Sequence, residues 1–236
     1  MSAAAPAAPA YIKSPYYKSI AFLNRLPGLT HEQFIDHWVT VHAPLFKAMP
    51  GLVKYRLNII DPLRSKNAPY DGAAEVWFES EEAMLGSRNS ELSKRSGADG
   101  KLFIQPGGLV LATTEYVIVE PPTGARHPGV KRLGVVQKNP SASHSDFVHQ
   151  WVDVHAPDYL ANTPGIHGYT INVVNESEKS PWGGYASLWW DDQQSYDEAA
   201  KVNAADMARQ RQQDSHEPSA FGNGFMSAIA DEQVVL

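Results

Sequence analysis

The sequence predicts an α+β fold: two ferredoxin-like βαββαβ repeats whose antiparallel sheets pack into a pseudo-dimeric α/β barrel. Three observations carry that prediction. First, Phe34, Trp38, His42, Ala43 and Pro44 recur as Phe147, Trp151, His155, Ala156 and Pro157, each 113 residues further on, within a shared string F-x-x-x-W-x-x-V-H-A-P. Second, apolar periodicity in each copy reads strand, helix, strand, strand, helix, strand, the order of the split βαβ unit. Third, two helices cover only one face of such a sheet. The other face needs burial, and a tandem copy supplies the partner, so two four-stranded sheets are expected face to face.

The elements follow in chain order. Residues 1–14 open Ala/Pro-rich and are read as a flexible tail without the basic and apolar regions of a secretory signal. Residues 15–120 form the first repeat, 121–129 a Pro/Gly-rich linker and 130–236 the second repeat. Phe22-Leu23-Asn24-Arg25 aligns with Val135-Val136-Gln137-Lys138, so an apolar strand exits onto a basic residue in both copies. Thr30 and Ser143 are placed to cap the next helix, with Gln33 completing a capping box and Asp146 a charge-complementing variant. After the helix, Pro50-Gly51, Tyr55 and Asn58 match Pro164-Gly165, Tyr169 and Asn172. Ala74 to Phe78 matches Ala186 to Trp190, short aromatic runs that read as strands. Helical stretches at 80–96 and 192–213 and closing strands at 109–119 and 225–236 complete each copy.

Composition narrows the function. The 236 residues carry a formal net charge of −6 and no basic stripe, which disfavours nucleic-acid binding. No apolar run approaches the roughly 18–20 residues that span a bilayer. The absence of cysteine excludes thiolate nucleophiles and disulfides, and fits a cytoplasmic location.

The shared string, the Pro-Gly that follows it and the block Asp71-Gly72-Ala73-Ala74-Glu75-Val76-Trp77-Phe78 together resemble the EthD family. That resemblance implies the dimeric α/β barrel superfamily, whose EthD members carry one copy and form homodimers. This chain looks like a fused pair, a pseudo-dimer within one chain with room for a further homodimer. The resemblance also implies cofactor-free proton transfer on a small cyclic or aromatic compound, as in muconolactone-type isomerases and aromatic polyketide dehydratases. No G-x-G-x-x-G follows a strand, so no nicotinamide or flavin is expected, and the histidines give no supported metal site.

Several residues are candidates for that chemistry. Phe34, Trp38 and His42 share the helix face aimed at the sheet. Pro44 disfavours helical geometry at Ala43, which sets His42 at a helix C-terminus near the barrel mouth, where the dipole favours imidazolium. His42 is then a general acid or base, or a structural histidine bonding the helix-end carbonyls. His155 has the same local setting. Strand alternation directs Glu75 and Trp77 to one face, and a carboxylate facing the interior has a raised pKa and can orient His42 or move a proton itself. Its counterpart Ser187 cannot, so one working pocket nearer the first repeat is expected. Tyr55 is a further catalytic candidate as a donor to a substrate oxygen. Arg25, Trp38, Asn58, Trp77 and Tyr169 are candidates for substrate binding. The leading reading is a cofactor-independent lyase or isomerase of a small aromatic or lactone-type metabolite. Cofactor-free oxygenation of an aromatic and a non-catalytic binding module are the alternatives.

Overall fold

A computed structural model describes residues 11–175, 180–212 and 219–236, with the side chains of 203–212 left aside. The first repeat contributes strands β2 (Tyr17–Leu23), β3 (Leu52–Ile60), β4 (Gly72–Phe78) and β5 (Leu109–Val119), and the second β6 (Val130–Lys138), β7 (Ile166–Val174), β8 (Trp182–Trp190) and β9 (Phe221–Val234). They form one closed antiparallel barrel in the order β5-β2-β4-β3-β9-β6-β8-β7, with β7 paired back onto β5. The expected pseudo-dimeric α/β barrel therefore forms, but its two sheets meet along their edges rather than as stacked layers. Residues Arg56 to Ile60 of β3 pair with Val234 to Ala230 of β9, and Thr113 to Val119 of β5 with Val174 to Tyr169 of β7. Closure removes the unpaired N–H and C=O rows that two separate sheets would expose. The tail also differs from expectation. Residues 1–10 lie outside the described residues, but Ile12–Lys13 form a short strand, β1, against Val117 and Tyr116 of β5.

Helices cover the outside of the barrel. In the first repeat these are α1 (His31–His37), a π-helical segment Trp38–His42, α2 (Ala43–Lys47), α3 (Glu81–Ser87) and α4 (Glu91–Gly100). The second has α5 (His144–Val148), a π-helical segment His149–His155, α6 (Ala156–Asn162) and α7 (Gln193–Gln212); Gln213, expected in the last helix, lies outside the described residues. Thr30 Oγ1 accepts from the Gln33 amide at 3.1 Å while Gln33 Oε1 accepts from the Thr30 amide at 2.9 Å, a complete capping box.

His42 does not end its helix. The chain stays helical to Lys47, because the Ala43 amide bonds five residues back to the Trp38 carbonyl. That widened turn puts Pro44 in the first turn of α2, where a missing N–H leaves no bond unmade. The second motif does the same, the Ala156 amide reaching the Trp151 carbonyl.

Strand alternation divides the side chains. Tyr55, Leu57, Val76 and Phe78 face outward and pack with Phe34, Trp38 and Phe103 of the helical layer. Tyr169, Ile171, Leu188 and Trp190 do likewise against Phe147 and Trp151. The barrel interior is apolar at one end, where Ile20, Phe22, Leu111, Leu133 and Val135 cluster. At the other end the same strands turn Lys18, Glu75, Glu115 and Lys131 inward, all buried.

A charged barrel cavity as the candidate active site

A cavity of about 330 Å³ opens at the charged end of the barrel, toward the small end of the range for small-molecule sites. Its walls include Lys54, Arg56, Glu75, Trp77 and Trp189, and linker residues cover its mouth. Beneath lies an ion network with approximate two-fold symmetry. Lys18 donates to Glu115 Oε1 at 2.7 Å, and the Trp77 indole N–H donates to Glu115 Oε2 at 2.7 Å. In the second repeat Lys131 donates to Glu232 Oε2 at 2.6 Å, and the Trp189 indole to Glu232 Oε1 at 3.3 Å. Each ammonium sits over its own indole, Lys18 at 4.1 Å from the Trp77 ring and Lys131 at 4.6 Å from the Trp189 ring, within cation–π range.

Glu75 joins the two halves and breaks their symmetry. Its Oε1 accepts from Lys18 at 2.9 Å and from the Tyr185 hydroxyl at 3.0 Å. Its Oε2 accepts from Lys131 at 2.6 Å and from the Asn58 amide at 3.0 Å. Burial alone would raise this carboxyl, but Lys131 and Lys18 outweigh it and hold Glu75 well below the ordinary carboxylate range. The raised pKa expected of Glu75 is thus corrected: the sequence showed the carboxylate but not the two lysines that meet it from other strands. Burial opposed by Lys18 likewise leaves Glu115 lowered, and burial opposed by Lys131 and Arg56 leaves Glu232 lowered. Burial and then the Glu75 charge raise Tyr185 well above its usual value, so it stays a donor.

Two cations face the open space. Arg56 touches Glu232 at 3.2 Å with one nitrogen, and its guanidinium lies 5.8 Å and 5.9 Å from the Trp77 and Trp189 rings. Lys54 is exposed at the mouth and makes no ion pair among the described residues. Lys54 and Arg56 can take an anionic group of a small ligand, and Trp77 and Trp189 give the cavity a flat apolar wall.

The candidates from the sequence divide between two compartments. Glu75, Asn58 and Trp77 face the barrel interior. Trp38, His42, Tyr55, His155 and Tyr169 belong to the helical layers, on the far side of the sheet from Glu75. His42 Nδ1 donates to Asp99 Oδ2 at 2.9 Å, and His37 Nε2 donates to Asp99 Oδ1 at 3.0 Å. Both imidazoles pack on Phe103, at 5.0 Å and 4.7 Å. Burial, only partly offset by Asp99, lowers the His42 pKa. The imidazolium expected from a helix end is therefore not favoured, since the helix continues past it. His42 and Glu75 do not form a pair: the face that holds Phe34 and Trp38 against the sheet holds His42 among the helices. Tyr55 receives the Trp38 indole N–H at 3.3 Å, and burial raises both Tyr55 and Tyr169. His155 packs on Tyr159 and Phe221. Arg25 is tied to Asp71 through its backbone amide and its guanidinium, and does not reach the cavity.

Sequence reasoning missed Lys18, Lys131, Arg56, Glu115, Glu232 and Tyr185. One signal was present: Lys18 and Lys131 occupy matching places, 113 apart, as the second residue of strands that run on into the apolar Ile20–Leu23 and Leu133–Val136. A lysine there is buried only if paired, which makes it a pointer to an interior ion site.

Comparison with known proteins agrees with this architecture. A 4-carboxymethyl-4-methylbutenolide mutase from Pseudomonas reinekei is 33% identical over 99 residues, covering 39% of this chain and 89% of the relative. An anthrone oxidase-like protein superposes with a TM-score of 0.60 at 12% identity, over 98% of this chain and 97% of that one. A candidate monooxygenase from Fusobacterium nucleatum subsp. nucleatum ATCC 25586 also gives 0.60, at 9% identity and 94% coverage of both. These last two likenesses show the shared barrel. The EthD domain model matches residues 26–107, and with the mutase relative this establishes that the chain belongs to the EthD family.

Proposed function

We propose that this protein is a cofactor-independent isomerase or lyase that moves a proton on a small ring compound, lactone or aromatic, bound in the barrel cavity. The observation that carries the reading is the cavity wall itself: two indoles, two cations at the mouth and an ionised carboxylate beneath. The mutase relative supports the isomerase side of it.

In this reading the ring lies against Trp77 and Trp189, and Lys54 and Arg56 hold its anionic substituent. The proton-transfer role expected of His42 passes to the carboxylates of the barrel, Glu75 and Glu115. One of them takes a proton from the carbon next to the ring carbonyl. The bonding pair moves onto the carbonyl oxygen, where Lys18 or Arg56 balances the new charge. Return of the proton at another carbon gives isomerisation; expulsion of a leaving group gives elimination. Both carboxylates are held ionised and can therefore accept the proton, and Lys18, the ammonium between them, offsets their paired negative charge.

The test is incubation with 4-carboxymethyl-4-methylbutenolide in deuterated water, followed by proton NMR. The reading expects an isomerised product or deuterium at the carbon next to the carbonyl, and Arg56→Met to lower the rate by about 100-fold. Binding of the lactone with neither product nor exchange would make the protein a binding module instead.

A further inference from the structure

The two halves of the barrel present different walls to the same cavity. Strand register fixes the counterparts. Lys54 lies opposite Trp77 on the neighbouring strand, as Gly168 lies opposite Trp189; Arg56 lies opposite Glu75, as Thr170 lies opposite Ser187. Both strands carry the same register shift, at Leu52/Lys54 and at Ile166/Gly168. Yet Lys54, Arg56 and Glu75 line the cavity, and Gly168, Thr170 and Ser187 do not.

The linker stands in their place. Residues Glu120 to Gly124 all line the cavity mouth. The ring of Pro122 rests on Gly168, so closely that a Cβ there would come within 2.9 Å of Pro122 Cδ and 3.0 Å of the Trp189 ring. No side chain fits between them without displacing one. Pro121 and Pro122 fix their own φ angles and stiffen the segment. Its far end is fastened to the barrel: the Val234 amide donates to the Ala125 carbonyl at 2.8 Å, and His127 Nε2 donates to the Trp190 carbonyl at 3.0 Å. A chain built from two copies thus uses the segment that joins them to fill the position where the second copy would repeat Lys54.

We propose that residues 120–124, seated by Pro122 on Gly168, are the specificity wall of the cavity: they remove the symmetry-related half-site and confine the ligand to one anionic ring per chain, held on the Lys54/Arg56/Trp77 side. The proposal rests on the barrel cavity being the ligand site. Pro122 makes no bond to the ion network, so the linker variant tests shape alone, whereas Gly168 also stands against the Trp189 ring.

Calorimetric titration of the full chain with benzoate and with 2-naphthoate tests it. The wild type is expected to bind one benzoate and to bind 2-naphthoate about tenfold more weakly, the longer ring system colliding with the wall. Replacing Pro121 and Pro122 together by Gly loosens the segment, and Gly168→Ala pushes it outward. Each is expected to shrink the preference to about threefold or less. If Gly168→Ala fails to fold, the linker variant, at the half-buried Pro121 and Pro122, decides alone. An unchanged preference in folded linker variants overturns the wall and leaves the cavity reading standing. A wild type that binds neither probe overturns both.

Discussion

Replacing Glu75 by Gln tests the ion network at its centre. The network holds three buried carboxylates, Glu75, Glu115 and Glu232, against the buried Lys18 and Lys131 and the half-buried Arg56. They balance. Gln keeps the shape but leaves one uncompensated positive charge in the interior. It also turns an NH₂ group toward donors, because each Glu75 oxygen accepts two bonds, one pair from Lys18 and Tyr185, the other from Lys131 and Asn58. Removing one partner of a buried ion pair costs about 3–5 kcal/mol, against a total stability of about 5–15 kcal/mol for a domain. The folded-to-unfolded ratio should therefore fall about 200-fold to several thousand-fold. Urea unfolding followed by tryptophan fluorescence and by circular dichroism measures this directly. A second substitution, Lys131→Met, restores neutrality and is expected to recover about 1–3 kcal/mol of the loss. A Glu75→Gln variant less than about 1 kcal/mol weaker than wild type, or one made worse by Lys131→Met, would refute the reasoning.

Three further outcomes follow from the same geometry. His42→Ala should cost about 1–3 kcal/mol, since it strips Asp99 of a buried partner and Phe103 of a neighbour, while benzoate affinity by calorimetry stays within about twofold of wild type. Gly72→Ala should destabilise by about 1–3 kcal/mol or more in the same urea assay, because its Cβ would meet the buried Trp38 ring and the Asn58 carbonyl. Stability should also fall in two steps on acidification. His42 is lowered from 6.5, so the unfolded chain takes up the proton first and stability declines as the pH drops below that value. Glu75, Glu115 and Glu232 are lowered from 4.5, so their contribution is intact above that pH and is lost as pH falls through their folded values. Melting temperatures across about pH 2–8 check both steps, and His42→Gln should shrink the upper one.

The fold could be read from the sequence because it is specified locally and then doubled. The Thr30 capping box, the Trp38/His42 motif and the aromatic strand Glu75-Val76-Trp77-Phe78 each announce their element, and strand alternation correctly separated Glu75 and Trp77 from Val76 and Phe78. The site was legible only in part, because its partners are far apart in the chain. Glu75 meets Lys131 from 56 positions away and Tyr185 from 110 away, contacts that only barrel closure creates. His42 drew attention as a repeated imidazole beside a proline. The helical layer holds it, and its partner Asp99 carries no motif. A π-helical turn that absorbs a proline is equally invisible in spacing arguments that assume 100° per residue.

With the barrel cavity as the proposed site, a ligand enters beside Trp77 and Trp189 rather than in the helical layer beside His42. The most direct measurement follows the indole N–H signals of the tryptophans by ¹⁵N NMR while benzoate is added, each signal assigned by a Trp→Phe variant. The Trp77 and Trp189 signals are expected to move together, while Trp38, which shares its layer with His42, holds still. Movement of Trp38 with Trp77 and Trp189 unshifted would contradict it.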